Sequence, residues 1–394
     1  MSAYRVAHLA NFYSPTSGGL RTTIKQLANG YAANDVDFWV VVPGEKFSVR
    51  RKSDHTRVEL PGISVANTGY RVMPSATKAL GLLARIRPDV VEVSDRLTLA
   101  KVGRWAKARS TPSIVFSHES VSGLANRYLG AATDAPILGP ALATGIKAAN
   151  QRLGNAFDCV VCTTDYAATD FRKTTANVVK IPLGVDLETF NPRRFDASTA
   201  ARLRSGHPLS MVVCTRLHLE KRPERAIAIL QELFTKGVDV RLTFVGEGPL
   251  RMTLQRRARG LPVAFEGFVH SRERVAELLA SADVVVAPGP IETFGLAALE
   301  ALACGTPVVA SGEGALAEVI GDAGAVADGS INSFCDGVQR VLAADEAIRR
   351  RRARVRAEMF PWSRTVSRMM ALHQQLANLR SLSLPRAGAV SVAA

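Results

Sequence analysis

The sequence has no uninterrupted apolar run of about 18 residues, so no membrane-spanning helix is expected. Met1-Ser2-Ala3-Tyr4-Arg5-Val6-Ala7-His8 reads as a strand start and not as a signal peptide, which predicts a chain that stays in the cytoplasm. Cysteines are few, odd in number and scattered, at five. Two of them form a CxxC within Asp158-Cys159-Val160-Val161-Cys162-Thr163, but residues three apart on a strand face opposite sides. With no second cysteine pair near them, buried apolar thiols are expected and a zinc site is not. G-x-G-x-x-G is missing, so there is no dinucleotide fingerprint, and no repeat recurs at a solenoid period. Acidic residues are in deficit, 35 against 50 Lys and Arg, for a net charge of +15. Such an excess favours anionic partners: lipid headgroups, phosphorylated substrates or nucleic acid. The densest basic run, Arg349-Arg350-Arg351-Arg352 with Arg354 and Arg356, follows Asp345 and Glu346, which suits a helix dipole. It reads as a solvated helix face; without interleaved aromatics, nucleic acid is not expected as a partner.

What is present is α/β alternation in two rounds. At 394 residues, two domains are the natural division. Tyr4 to Leu9, Val36 to Val42, Asp89 to Val93, Ser113 to Ser117, Asp158 to Thr163 and Val178 to Pro182 read as strands. Gly19 to Tyr31, Ser75 to Arg87 and Leu99 to Arg109 read as helices between them. In the second half Ser210 to Cys214, Val240 to Val245, Val263 to Glu266, Val284 to Ala287 and Pro307 to Ala310 are the strands. Both halves predict doubly wound parallel sheets, with a site in the cleft between them. The expected division is residues 1–190, a linker at 191–208, a second domain at 209–362, a last helix at 363–379 and a disordered tail at 380–394.

The second half centres on Pro288-Gly289-Pro290-Ile291-Glu292-Thr293-Phe294-Gly295-Leu296-Ala297-Ala298-Leu299-Glu300. The apolar run Asp283-Val284-Val285-Val286-Ala287 enters it as a buried strand, Pro and Gly force a loop, and an Ala/Leu-rich helix follows until Gly305-Thr306-Pro307. Glu292 then stands in the loop and Glu300 two turns into the helix. The free amides of Phe294, Gly295 and Leu296 favour an anion between two carboxylates that can accept hydrogen bonds from sugar hydroxyls. That describes a nucleotide-sugar site.

These residues resemble the donor site of the retaining glycosyltransferases of family 4, which have the GT-B fold. Within that family, Ala10-Asn11-Phe12-Tyr13-Ser14-Pro15, Glu92-Val93-Ser94-Asp95-Arg96-Leu97-Thr98-Leu99, Ser117-His118-Glu119 and Val161-Cys162-Thr163-Thr164 resemble the mycobacterial mannosyltransferases that extend phosphatidylinositol mannosides from GDP-mannose. The resemblance implies a last helix that crosses back onto the first domain. It places Gly19, in Ser17-Gly18-Gly19, against the donor's phosphate and sugar, and His118 against the transferred sugar. Arg216 and Lys221, in Thr215-Arg216-Leu217-His218-Leu219-Glu220-Lys221-Arg222, become the cations on the diphosphate. The family usually has glycine where Thr215 and Arg222 stand. Gly267 and Val269 lie near where the family holds the base through backbone groups, which leaves guanine and uracil open. Glu292 is expected on the transferred hexose and Glu300 on the ribose. The implied chemistry is electrostatic, with no carboxylate placed as a covalent nucleophile; an Asp-x-Asp motif is missing at the donor position, so no metal cofactor is expected.

For the acceptor, Lys46, Arg50, Arg51, Lys52 and Arg57 with Phe47 and Val49 form a basic, partly apolar stretch suited to an anionic glycolipid and to peripheral contact with the inner face of the plasma membrane. In Ser75 to Arg87, the apolar face reads first as packing on the sheet. Alternatives are another nucleotide-hexose donor, a soluble acceptor, and a non-catalytic nucleotide-sugar or nucleic-acid binding protein.

Overall fold

The computed structural model describes residues 4–13, 18–65, 70–96, 98–118, 138–172 and 174–383. Ser14, Pro15, Ser17, Leu97, Glu119 and the tail 384–394 lie outside the described residues. The first half supplies β1 (Arg5–Ala10), β2 (Asp37–Gly44), β3 (Ser48–Arg51), β4 (Thr56–Pro61), β5 (Ile63–Ser64), β6 (Arg71–Val72), β7 (Val90–Ser94), β8 (Ser113–Ser117), β9 (Cys159–Cys162) and β10 (Val178–Lys180). Eight of these form one sheet in the order β10-β9-β8-β7-β1-β2-β4-β3, with β5 and β6 paired separately. All pairs in the eight-stranded sheet are parallel except β3 with β4. The Val- and Ile-rich strands β7 and β8 are buried along their whole length, as expected for a parallel sheet covered on both faces. The helix Gly19–Ala32 covers one face with Ile24, Leu27, Ala28 and Tyr31. The helix Thr77–Ile86 covers the other with Ala79, Leu83 and Ile86. Cys159 and Cys162 fall in these opposite clusters, and burial pushes both thiols up to about 12.

The second half supplies β11 (Leu209–Cys214), β12 (Val240–Val245), β13 (Val263–Gly267), β14 (Val284–Ala287), β15 (Val308–Ser311) and β16 (Gly324–Ala327). They form one six-stranded parallel sheet, β13-β12-β11-β14-β15-β16. The strand β16 lies beyond those read from the sequence: Gly324-Ala325-Val326-Ala327 has too short an apolar run to stand out.

Three expectations are corrected. Residues 191–208, expected as a linker, are in part packed on the second half: Asp196 caps the helix Ala197–Arg204 by accepting from the Thr199 amide, and Leu203 packs into that half's core. The last helix does not end at Leu379 but runs Trp362–Ser383, so residues 380–383 are helical and not tail; Arg380 donates to Asp158 Oδ1 at 2.5 Å. The arginine run is only partly solvated. Arg350 donates to the carbonyls of Ala280 and Ala282, Arg354 to those of Leu187, Phe190 and Ala303, and Arg356 to Val319 O and Glu318 O. Of these carbonyls, Ala280, Ala303, Glu318 and Val319 lie at helix ends that have no intrahelical donor, and the guanidinium groups close them.

Two strands of chain cross between the halves. Val185 bridges Pro361, and its amide donates to Phe360 O at 2.8 Å. Past this crossing, Val366, Met369, Leu372 and Leu376 of the last helix pack into the first sheet's core. Burial of such side chains is worth roughly 1.5–3 kcal/mol each, so the last helix ties the two halves together.

Candidate active site

Each sheet reverses its strand order once, between β1 and β7 in the first half and between β11 and β14 in the second. Loops leaving the carboxyl ends of strands at such a switch point are where open α/β sheets bind ligands. The second half's switch point carries Arg216 and Lys221 after β11 and Glu292 after β14. Their loops are folded tightly together. Gly246 has φ 141, and a Cβ there would lie 1.9 Å from Thr215 O, so the turn after β12 can approach β11's exit only as glycine. Arg222 takes the left-handed conformation at φ 47, in keeping with the glycine usual there.

Lys221 Nζ donates to Glu292 Oε1 at 2.6 Å, joining the two loops across the switch point. Next to Glu292, Thr293 turns to the other half of the molecule. Its hydroxyl donates to His118 O at 2.6 Å, and its carbonyl accepts from Thr163 Oγ1 at 2.9 Å and Thr164 Oγ1 at 2.8 Å. Gly295 has φ 90, and a Cβ there would meet Leu316 Cδ2 at 2.1 Å; only glycine lets the chain turn here into the helix Leu296–Ala303. The first-turn amides of that helix lack intrahelical acceptors. Leu296 faces Gly19, whose added Cβ would stand 3.6 Å from Leu296 Cδ1. The helix start of the first half is therefore seated on the helix start of the second.

The structure thus brings Gly19, His118, Lys221, Glu292, Gly295 and Leu296 together. Arg216 stands at the opening, donating to Tyr70 OH at 3.1 Å across the halves and pairing with Glu220 at 3.5 Å. Glu300 lies deeper, buried in the helix, where Arg272 Nη2 donates to its Oε1 at 2.8 Å. Burial pushes the Glu300 carboxyl up and Arg272 opposes this. Arg272 also sits 4.5 Å from the centre of the Phe190 ring. Gly267 and Val269 lie apart from the central group, at the end of β13: Gly267 accepts from the Gly246 amide at 2.8 Å, and Val269 packs against the core. The Phe294 side chain does not face a donor. It is 3 % exposed and meets Phe360 edge-on at 6.1 Å, so only its backbone is left for a ligand.

His118 follows β8. Its ring stacks on Phe116 at 5.4 Å, and its Nε2 lies 2.8 Å from Ser94 Oγ. Burial, with His8 adding to it, pushes its pKa down to about 3, so the ring is neutral near pH 7. Sequence reasoning missed Thr293, Tyr70 and Arg272. Thr293 had a signal, because it stands inside the central stretch next to Glu292. Tyr70 and Arg272 had none, since their roles come from tertiary approach. Among the described residues, no group of three or more His, Cys, Asp or Glu side chains could hold a metal ion, and no helix is long and apolar enough to cross a membrane.

Two family models match the chain: Glycosyltransferase Family 4 over residues 17–189 and Glycosyl transferases group 1 over residues 209–344. The chain is 44% identical over 374 residues to the GDP-mannose-dependent alpha-(1-6)-phosphatidylinositol dimannoside mannosyltransferase of Mycobacterium tuberculosis, covering 93% of this chain and 95% of that protein. It is 35% identical over 238 residues to the corresponding monomannoside enzyme of Mycolicibacterium smegmatis, covering 55% of this chain and 61% of that one. In structure it is similar to sucrose-phosphate synthase from Thermosynechococcus elongatus, with a TM-score of 0.74 at 21% identity over 95% of this chain and 99% of the other.

Proposed function

The chain belongs to the family 4 glycosyltransferases, with the GT-B fold of two Rossmann-like halves, and we propose that it transfers mannose from GDP-mannose to a phosphatidylinositol mannoside lipid with retention of configuration. The observation that carries this reading is the 44% identity to an enzyme of that name across both halves.

In this reading the donor diphosphate lies between Arg216, Lys221 and the amides at the start of Leu296–Ala303. The bond from the anomeric carbon to the diphosphate oxygen breaks, and the acceptor oxygen bonds to the same carbon from the same face. The acceptor's proton passes to the departing phosphate. The two cations and the amides stabilise the charge developing on that phosphate. Lys221, held by Glu292 in the free protein, turns from that carboxylate to the phosphate, and Glu292 is released to the mannose hydroxyls. Glu300 takes the ribose hydroxyls, sharing or displacing Arg272. His118 and Gly19 bound the sugar from the first half, and Gly267 and Val269 lie on the base side.

The lipid acceptor is met by the β3–β4 edge of the first sheet. Phe47 and Val49 are 59% and 50% exposed, and Lys46, Arg50, Arg51 and Lys52 are exposed beside them. Arg57 does not join this patch, because it pairs with Glu59 at 2.9 Å and lies over the Tyr13 ring. Apolar tips among cations suit peripheral contact with an anionic leaflet. The test is an initial-rate assay with phosphatidylinositol dimannoside as acceptor and GDP-mannose, UDP-glucose or UDP-N-acetylglucosamine as donor. Turnover with GDP-mannose and an α-linked product is expected; turnover with a uridine donor alone contradicts the proposal.

A further inference from the structure

A buried chain of side chains runs from His118 to the far side of the first sheet. His118 Nε2 lies 2.8 Å from Ser94 Oγ, and Ser94 Oγ lies 2.9 Å from His8 Nε2. His8 Nδ1 lies 2.7 Å from Glu92 Oε2. The other oxygen, Glu92 Oε1, accepts from Tyr31 OH at 2.6 Å and from His373 Nε2 at 2.8 Å. His8, Tyr31, Glu92 and His373 are fully buried, and Ser94 is 7% exposed. Strand pairing explains the alignment: β1 lies beside β7 with His8 opposite Glu92, and β8 is β7's next neighbour. His373 comes from the last helix, which crosses over from the second half.

A charged residue within Val90-Val91-Glu92-Val93 would be costly without partners, and here every contact to its carboxylate comes from a donor. Burial alone would raise the Glu92 carboxyl, but hydrogen bonds from His373 and His8 bring it down to about 2. An ionised carboxylate only accepts, so His8 carries a proton on Nδ1, and in the neutral form of that ring its Nε2 is an acceptor. The Ser94 hydroxyl must then donate to His8, which leaves its oxygen to accept from His118 Nε2–H. The proton of His118 is thereby placed on Nε2, and Nδ1, which has no partner among the described residues, is a bare acceptor.

We propose that Glu92, acting through His8 and Ser94, is a positioning residue that sets which ring nitrogen of His118 bears the proton. This rests on the reading that His118 meets the transferred sugar: the chain presents that sugar with an acceptor of a hydroxyl proton and not with a donor. His8 and Ser94 transmit the orientation and do not themselves touch the sugar.

Glu92→Gln tests this without changing size. Its carbonyl oxygen at the Oε1 position keeps the Tyr31 and His373 hydrogen bonds, while its amide nitrogen donates to His8 Nδ1. Every donor along the chain reverses, and His118 becomes the Nδ1–H form. Nitrogen NMR of the full chain labelled at histidine, with the His118 signals identified by their loss in His118→Gln, reads this directly. The expected result is an Nε2–H ring in the wild type and an Nδ1–H ring in Glu92→Gln. GDP affinity should stay within about twofold while kcat falls roughly tenfold, the order of one hydrogen bond. Ser94→Ala should cut the transmission, so that adding Glu92→Gln to it no longer moves the His118 signals; it also provides the test if Glu92→Gln does not fold. A His118 tautomer that is the same in wild type, Glu92→Gln and Ser94→Ala overturns the proposal whatever the rates. A tautomer that inverts with an unchanged kcat supports the relay and removes His118 from the transfer reading.

Discussion

The two walls of the cleft are built from different interactions. On the first half's wall, His118 is a neutral ring fixed by the buried hydrogen bonds of Ser94, His8 and Glu92. On the second half's wall, Lys221–Glu292 and Arg272–Glu300 are ion pairs that are less buried than the histidine network of the first. A buried network around an ionised carboxylate resists rearrangement, because opening it strands buried polar groups. An ion pair at a cleft edge exchanges partners readily once a dianionic ligand offers a better one. Under the proposed function the rigid wall bounds the sugar through His118, while the adjustable one holds the leaving group and, through Glu292, the sugar's hydroxyls.

The largest effect is expected from removing the adjustable cations. Lys221→Ala or Arg216→Ala should lower turnover more than tenfold, for lost charge stabilisation of roughly 2–4 kcal/mol. Initial rates at saturating donor check this; near-normal rates in both variants would return the two residues to the role of surface charges.

A smaller effect separates the walls by pH. His118 is pushed from 6.5 to about 3 by burial, so between those values the unfolded chain binds a proton that the folded one does not. Glu92, lowered from 4.5 to about 2, adds the same imbalance lower down. Stability falls with acid wherever the unfolded state holds more protons, so both groups contribute to acid unfolding. Urea midpoints measured against pH should lose part of their slope between 6.5 and 3 in His118→Gln. In Glu92→Gln the loss should lie between 4.5 and 2. A slope unchanged in both variants would mean that the rigid wall is not held as described.

The smallest effect concerns the β3–β4 edge. Sedimentation with vesicles should rise with anionic lipid and fall with salt, and Phe47→Ser with Val49→Ser should weaken it by about 1 kcal/mol or less in total, because apolar tips resting in an interface bury only part of their surface. Equal binding to neutral and anionic vesicles would remove the electrostatic argument.

Much of this architecture was legible in the sequence. The central strands β2, β7, β8, β9, β11 and β14 carry short apolar runs such as Val40-Val41-Val42 and Val284-Val285-Val286, and the loop-helix from Pro288 to Glu300 announces its own switch point, whereas β3 to β6 and β16 were not read. Pairings between distant residues were not legible. Arg272 has no sequence signature that directs it to Glu300, and nothing in Arg350 or Arg354 says that they close helix ends. Glu92 entered only within a run that resembles the family, and its partners are residues 8, 31 and 373, which only the sheet order and the returning helix bring to it. The short helix Ala197–Arg204 was missed because its polar, low-periodicity sequence reads as linker until its cap and Leu203 are seen in place.

The most direct measurement is calorimetric titration of GDP into Glu300→Gln and Glu292→Gln, beside their transfer rates at saturating donor. A charge-assisted hydrogen bond is worth roughly 1.5–3 kcal/mol. The account expects Glu300→Gln to weaken GDP and GDP-mannose by similar factors, and Glu292→Gln to keep GDP affinity nearly intact while transfer falls. Loss of GDP affinity in Glu292→Gln as large as in Glu300→Gln would contradict it.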